Sequence, residues 1–91
     1  MPIPVSIPTQ IRPLTNNLDT VELDGATLGD LLADLEKRYP GVNDRLHNEA
    51  GELRRNIAIY INGEDIRFLQ DKDTAVKLGD EVVIVPSAAG G

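Results

Sequence analysis

Hydrophobic and polar residues alternate from the first few positions. Ile3, Val5 and Ile7 share one parity, with Pro4 and Ser6 between them. A period of two predicts a strand with one face buried. Pro2, Pro4 and Pro8 occupy the other parity, which predicts an edge strand or a bulge. Residues 12–17, with Pro13 and an Asn-Asn pair, read as a turn. Residues 20–24 (TVELD) alternate again, with Val21 and Leu23 on one face, so the first two strands are expected to form a hairpin. The period then changes. Leu28, Leu31, Leu32, Leu35 and Tyr39 recur at helical spacing, while Asp34, Glu36, Lys37 and Arg38 fall off that stripe. Thr27 is the expected N-cap, with Asp30 three residues on as a short capping box, and Pro40-Gly41 ends the helix.

Residues 42–55 are polar and irregular, anchored by Leu46 and Leu53. Residues 56–62 (NIAIYIN) predict a strand with Ile57, Ile59 and Ile61 on one face and Ala58 and Tyr60 on the other. Asn62-Gly63 is a tight-turn signal, because both residues tolerate positive φ. A short returning strand is expected over 64–68. Residues 70–80 are polar, with one or two helical turns in which Val76 and Leu78 reach the core. The run EVVIVP then predicts a strand covered on both faces, or a central strand with one exposed apolar face. The order is strand, strand, helix, strand, short strand, strand. It describes a two-layer α+β sandwich, a mixed sheet of four to five strands with one amphipathic helix across one face.

Composition narrows the function. The 91 residues are enough for one domain with a thin core, and with only Tyr39, Tyr60 and Phe68 as aromatics that core is aliphatic. Nine basic residues against fifteen acidic ones leave a net charge of −6, which argues against nucleic acid, whose phosphates need a basic stripe. With no cysteine, neither a disulfide nor a side-chain thiol that could carry sulfur is available. No apolar run approaches membrane-spanning length, and the start of the chain lacks a secretory pattern, so a cytoplasmic location is expected.

Catalytic constellations do not emerge. His47 stands alone in a polar loop and is expected to be solvated. Ser6 and Ser87 have no histidine at an activating spacing. Gly25 and Gly29 flank a helix start without the other residues of a phosphate loop. Asp71, Asp73 and Asp80 lack calcium-loop spacing and read as a solvated acidic stretch.

What remains is PSAAGG, residues 86–91. Gly90 and Gly91 carry no Cβ and can enter a slot too narrow for any other residue, and Ala88 and Ala89 keep the approach slim. Extended, the segment reaches about 20 Å, enough to place an α-carboxylate in another protein's active site.

In this order, VSIPT, RPLT, TLGDLLADLEKRYPG, NIAIYINGEDIRF and GDEVVIVPSAAGG resemble the ThiS and MoaD family of ubiquitin-like sulfur carriers along nearly the whole chain, and within it the CysO-like carriers of a cysteine biosynthesis route. The resemblance implies a β-grasp domain over residues 1–86 and a flexible Gly-Gly tail over 87–91. It implies a protein co-substrate rather than an enzyme. Gly91 would be adenylated by an E1-like enzyme and converted to a thiocarboxylate, with Ser87, Ala88, Ala89 and Gly90 entering partner active sites. MgATP, pyridoxal phosphate and zinc would belong only to partners: the E1-like enzyme, a CysM-like pyridoxal phosphate-dependent synthase and a JAMM-type metalloprotease. No membrane partner is implied. In such carriers the exposed parity of the last strand docks on the activating enzyme, which assigns Val83 and Val85, beside Ala58 and Tyr60, to docking. The alternative reading places both valines in the core, because the run is apolar on both parities. Asp80 and Glu81 could steer a basic partner. Lysine conjugation of Gly91 as a ubiquitin-like modifier, or sulfur delivery to thiamin, molybdopterin or a secondary metabolite, stays open.

Overall fold

The structure, a computed structural model, describes residues 2–54 and 56–86. Strands β1 (Pro2–Ser6) and β2 (Thr20–Asp24) are followed by helix α1 (Leu28–Arg38), a short helix α2 (Val42–Leu46), and strands β3 (Ile57–Ile61), β4 (Glu64–Asp65) and β5 (Val82–Pro86). The sheet order is β2-β1-β5-β3-β4, with β1 and β5 parallel and the other pairs antiparallel. The expected hairpin, the mixed sheet and the single long helix over one face are all present: this is the β-grasp arrangement.

Alternation explains how the layers meet. Ile3, Val5, Val21, Leu23, Ile57, Ile59, Ile61, Val82 and Ile84 all point to one face of the sheet and are buried. The α1 stripe of Leu28, Leu31, Leu32 and Leu35 closes over them, and together they form one aliphatic core. Each fully buried leucine or isoleucine stabilises by about 1.5–3 kcal/mol, which is how a domain with few aromatics holds together.

The prolines do not mark an edge, since β1 is an inner strand. The Ile7 N–H donates to Asp19 O at 2.8 Å, so odd-numbered N–H groups of β1 point to β2. The nitrogens of Pro2 and Pro4 therefore point toward β5, whose pairing with β1 begins only at Val5 opposite Val82. No ladder donor is lost, and an inner strand tolerates both prolines.

At the start of α1, Thr27 Oγ1 accepts from the Asp30 N–H at 3.2 Å, while Asp30 Oδ2 accepts from the Ala26 N–H, one residue earlier than in a regular capping box. Helix α2 is an addition to the expected irregular stretch. Its first turn is capped from outside: the Glu36 carboxylate accepts from the N–H groups of Gly41 at 2.9 Å and Asn43 at 3.0 Å. Val42 and Leu46 are both buried by it.

Two further expectations are corrected. The returning strand stops at Asp65, because Asp65 Oδ1 captures the Arg67 N–H at 2.9 Å and turns the chain into a 3-10 helix over Ile66–Phe68. Leu78 is 61% exposed rather than in the core. In the turn over residues 77–80, Asp80 folds inward instead, and Val76 alone of the expected pair is buried.

Gly25 joins β2 to α1 at a close approach. A Cβ there would lie 2.6 Å from Asp30 Cβ and 3.0 Å from Leu31 N. Gly25→Ala is expected to lower unfolding free energy by about 1–3 kcal/mol in urea titrations, and Leu35→Ala by about 2–5 kcal/mol. A Gly25→Ala protein as stable as the parent would refute the packing described for this junction.

Candidate functional site

Strand β5 is the middle of the sheet, and its two faces differ. Val82 and Ile84 are each 1% exposed, whereas Val83 and Val85 are half-buried on the face opposite α1. The core reading of Val83 and Val85 is thereby set aside. The antiparallel register places Ala58 opposite Val85 and Tyr60 opposite Val83. Directly opposed residues stand within side-chain contact distance on a shared face. The four residues proposed for docking thus form one apolar strip on the outer face, with Ser6 beside Val83 on the other flank. An adjoining depression of about 390 Å³ is lined by Pro4, Ser6, Thr20, Glu81, Val82 and Val83.

The strip leads to Pro86, the last described residue of β5, opposite Ile57. Ser87, Ala88, Ala89, Gly90 and Gly91 lie outside the described residues, and so does the expectation of a flexible tail over 87–91.

Asp80 is not a steering charge. It is buried, and its carboxylate accepts from Asn62 Nδ2 at 3.1 Å and from the Lys77 N–H at 2.9 Å, with Lys77 Nζ at 3.4 Å. Asn62 in turn accepts from the Glu81 N–H through Oδ1 at 2.9 Å, and its own N–H donates to Glu81 O at 2.8 Å. This clamp ties the β3–β4 turn to the start of β5 and fixes where the strip begins. The Asn62 hydrogen bond, then that of the Lys77 N–H, holds the Asp80 carboxyl below its ordinary range. Glu81 remains exposed.

His47 is half-buried rather than solvated. Its Nδ1 lies 3.1 Å from Asn43 O and so carries the proton, which leaves Nε2 buried without a hydrogen-bond partner. Burial pushes its pKa down, with Lys72 and Arg54 adding to the fall against the opposing effect of Asn43 O. A group in this setting packs well only when neutral. Among the described residues no group of three or more His, Cys, Asp or Glu is placed to hold a metal ion. No helix among them is long and apolar enough to cross a membrane.

The family model of the ThiS family matches residues 5–91. The chain belongs to the ThiS family. This ThiS-family chain is 44% identical over 93 aligned residues to the sulfur carrier protein CysO of Mycobacterium tuberculosis, with 100% of both covered. A crystal structure of Mycobacterium tuberculosis CysO matches it with a TM-score of 0.90 at 42% identity, over 94% of this chain and 99% of that one. CysO in the crystal structure of the Amycolatopsis orientalis BexX/CysO complex matches with a TM-score of 0.88 at 42% identity, over 98% and 99%. Small archaeal modifier protein 3 of Haloferax volcanii is 40% identical over 68 residues, 75% of this chain and 73% of that protein.

The buried groups give the ThiS-family chain a definite pH response. His47 has a folded pKa below its unfolded value, so its contribution is complete above about pH 6.5 and is lost as pH falls through the folded value. Asp80, with Asp34 held down by the Asp24 N–H and Arg38, and Glu36 by the Gly41 and Asn43 N–H groups, adds stability that is present above about pH 4 and lost below it. Urea midpoints should fall in two stages on acidification, and His47→Gln should abolish the upper stage alone. A midpoint unchanged between neutral pH and pH about 5 would contradict this.

Proposed function

We propose that the protein is a sulfur carrier whose α-carboxylate at Gly91 is the reacting group, the rest of the chain serving to present it. The observation that supports this reading best is the build of β5. One strand is locked into the core by Val82 and Ile84, displays Val83 and Val85 outward, and ends at Pro86, where the slim Ser87-Ala88-Ala89-Gly90-Gly91 segment follows. Similarity to sulfur carrier CysO across the whole chain gives independent support.

The chemistry needs two steps, both in a partner. A Gly91 carboxylate oxygen attacks the α-phosphorus of MgATP on an E1-like enzyme, releasing pyrophosphate and leaving an acyl-adenylate. Sulfide sulfur then attacks the carbonyl carbon, and AMP departs with the electron pair of the broken C–O bond. The product is a thiocarboxylate, a soft nucleophile. No side chain of this protein takes part, and no cysteine is present to compete for the sulfur. Cysteine biosynthesis is the route favoured, with the thiocarboxylate adding to an acceptor held on pyridoxal phosphate in a CysM-like synthase and a JAMM-type zinc protease releasing the product. BexX, which stands with CysO in the complex of the related structure, makes delivery to another acceptor the second route to test. The apolar strip of Ala58, Tyr60, Val83 and Val85 is the surface that holds the activating enzyme, as apolar patches beside a functional segment commonly do.

Similarity to a small archaeal modifier favours one alternative, attachment of Gly91 to lysines. Intact-mass spectrometry separates the two. With an E1-like enzyme, MgATP and sulfide, the carrier should exchange one oxygen for one sulfur, whereas lysine-linked conjugates without that exchange would support the modifier reading. Gly91→Ala should leave the unfolding midpoint unchanged and reduce thiocarboxylate formation by about 100-fold or more, because the added methyl displaces the carbonyl from the reacting position. Val83→Lys should raise KM for the carrier with the folded body intact. Undiminished charging of both variants would overturn the assignment of Gly91 and of the strip.

A further inference from the structure

The sheet topology gathers a second feature at the end of β5. Because β1 runs parallel to β5, the chain leaving β1 arrives at the same end of the sheet as Pro86, and antiparallel β3 begins there with Ile57 opposite Pro86. Helix α2 lies against this end. Together they enclose a small cavity of about 160 Å³. Pro8, Ile57 and Pro86 supply its apolar lining, and Gln10, Asn56 and Arg45 supply donors. None of the described residues that line it is acidic.

Arg45 stands apart from most of the protein's cations. Arg38 pairs with Asp24 at 3.0 Å and Asp34 at 2.9 Å, and Lys77 with Asp80 at 3.4 Å. Arg12, Arg54, Arg67 and Lys72 donate to the carbonyls of Ile7, Asp44, Ile57 and Gly51. Among the described cations only Arg45 and Lys37 make no such bond, although acidic residues outnumber basic ones by fifteen to nine. Lys37 sits on the exposed side of α1 and does not line this cavity. Arg45 borders the cavity that contains Pro86 itself. The charge is also polarised along β5: the exposed Glu81 precedes its start, and the unpaired guanidinium stands at its finish.

From this we infer that the cavity receives a carboxylate side chain of the enzyme that accepts residues 87–91, with Arg45 as its partner; the inference rests on the carrier reading given above. The chemistry argues for a carboxylate. A guanidinium binds one through paired N–H donors, side-chain amides complete the set, and the cavity has room for one side chain rather than a cofactor. The geometry argues for this particular partner. A protein that draws in the whole of residues 87–91 brings the rim of its own entrance to Pro86, and so to the cavity that Arg45 lines. The apolar strip would hold the partner's flank while Arg45 fixes the mouth of its tunnel, so the approach is aligned at two points. Electrostatic contacts of this rim kind act on encounter and alignment rather than on the chemical step.

The test uses the full chain with an E1-like adenylating enzyme, MgATP and sulfide, reading KM and kcat for the carrier together with the final thiocarboxylate yield. Arg45→Glu should raise KM for the carrier about tenfold with kcat and final yield unchanged, and the effect should shrink at high salt. Arg45→Lys should recover part of the loss. Lys37→Glu, the same charge reversal at the other described cation that makes no such bond, should leave all parameters as they are. An unchanged KM for Arg45→Glu, or an equal rise for Lys37→Glu, would overturn the inference while leaving the carrier reading standing. A rise in KM for MgATP instead would assign the cavity to a nucleotide phosphate and also overturn it. If the unmodified chain forms neither adenylate nor thiocarboxylate, the carrier reading falls and this inference falls with it. Thermal unfolding of each variant should match the parent, since the Arg45 side chain is exposed.

Discussion

The pairing of β5 with two neighbours at once is the constraint on which the rest of the molecule depends. Parallel to β1 and antiparallel to β3, it is held by both ladders and by the burial of Val82 and Ile84. A strand inserted in this way cannot slide by one residue, because a slip would exchange the buried pair for Val83 and Val85 and carry the wrong side chains to both faces. The direction and position in which the chain leaves at Pro86 are therefore set by the core. The Asn62–Asp80 clamp fixes the other end of the strand through charge-assisted hydrogen bonds to the Asp80 carboxylate and a bond from the Glu81 N–H to Asn62 Oδ1.

This rigidity links the fold to the proposed chemistry. A reacting group at the end of a chain needs a body that its partners can grip in one orientation, and the half-buried strip of Ala58, Tyr60, Val83 and Val85 is built on β5, paired on both sides, and on its neighbour β3. The titratable groups that are buried or hydrogen-bonded, His47, Asp80, Glu36 and Asp34, are all engaged in holding turns and helix ends. These groups serve stability, and the proposed carrier chemistry asks none of them to react.

Much of this was legible in the sequence, because the strand and helix periods are clean. The parity of Ile57, Ile59 and Ile61 and the leucine stripe of α1 follow from spacing alone, and the outward parity of Val83 follows once β5 is central. Interactions between residues distant in the chain were not legible. Glu36 caps α2 from the preceding helix, so residues 42–46 carry no cap signal of their own. Asp80 is drawn inward by Asn62, eighteen positions away, which also leaves Leu78 outside. Pro4 is tolerated in an inner strand only because the β5 ladder starts one residue later. His47 shows no local pattern that distinguishes a half-buried ring from a solvated one. That Arg45 stands without a partner at the Pro86 end of the sheet depends on where the other described arginines donate, which no local pattern carries.

The central claim, that the body presents and the terminal glycine reacts, is tested most directly by deleting Gly90 and Gly91 and measuring sulfur transfer in cells that depend on this chain. The account predicts an unfolding free energy equal to that of the parent and complete loss of sulfuration. Sulfuration sustained by the shortened protein would contradict it.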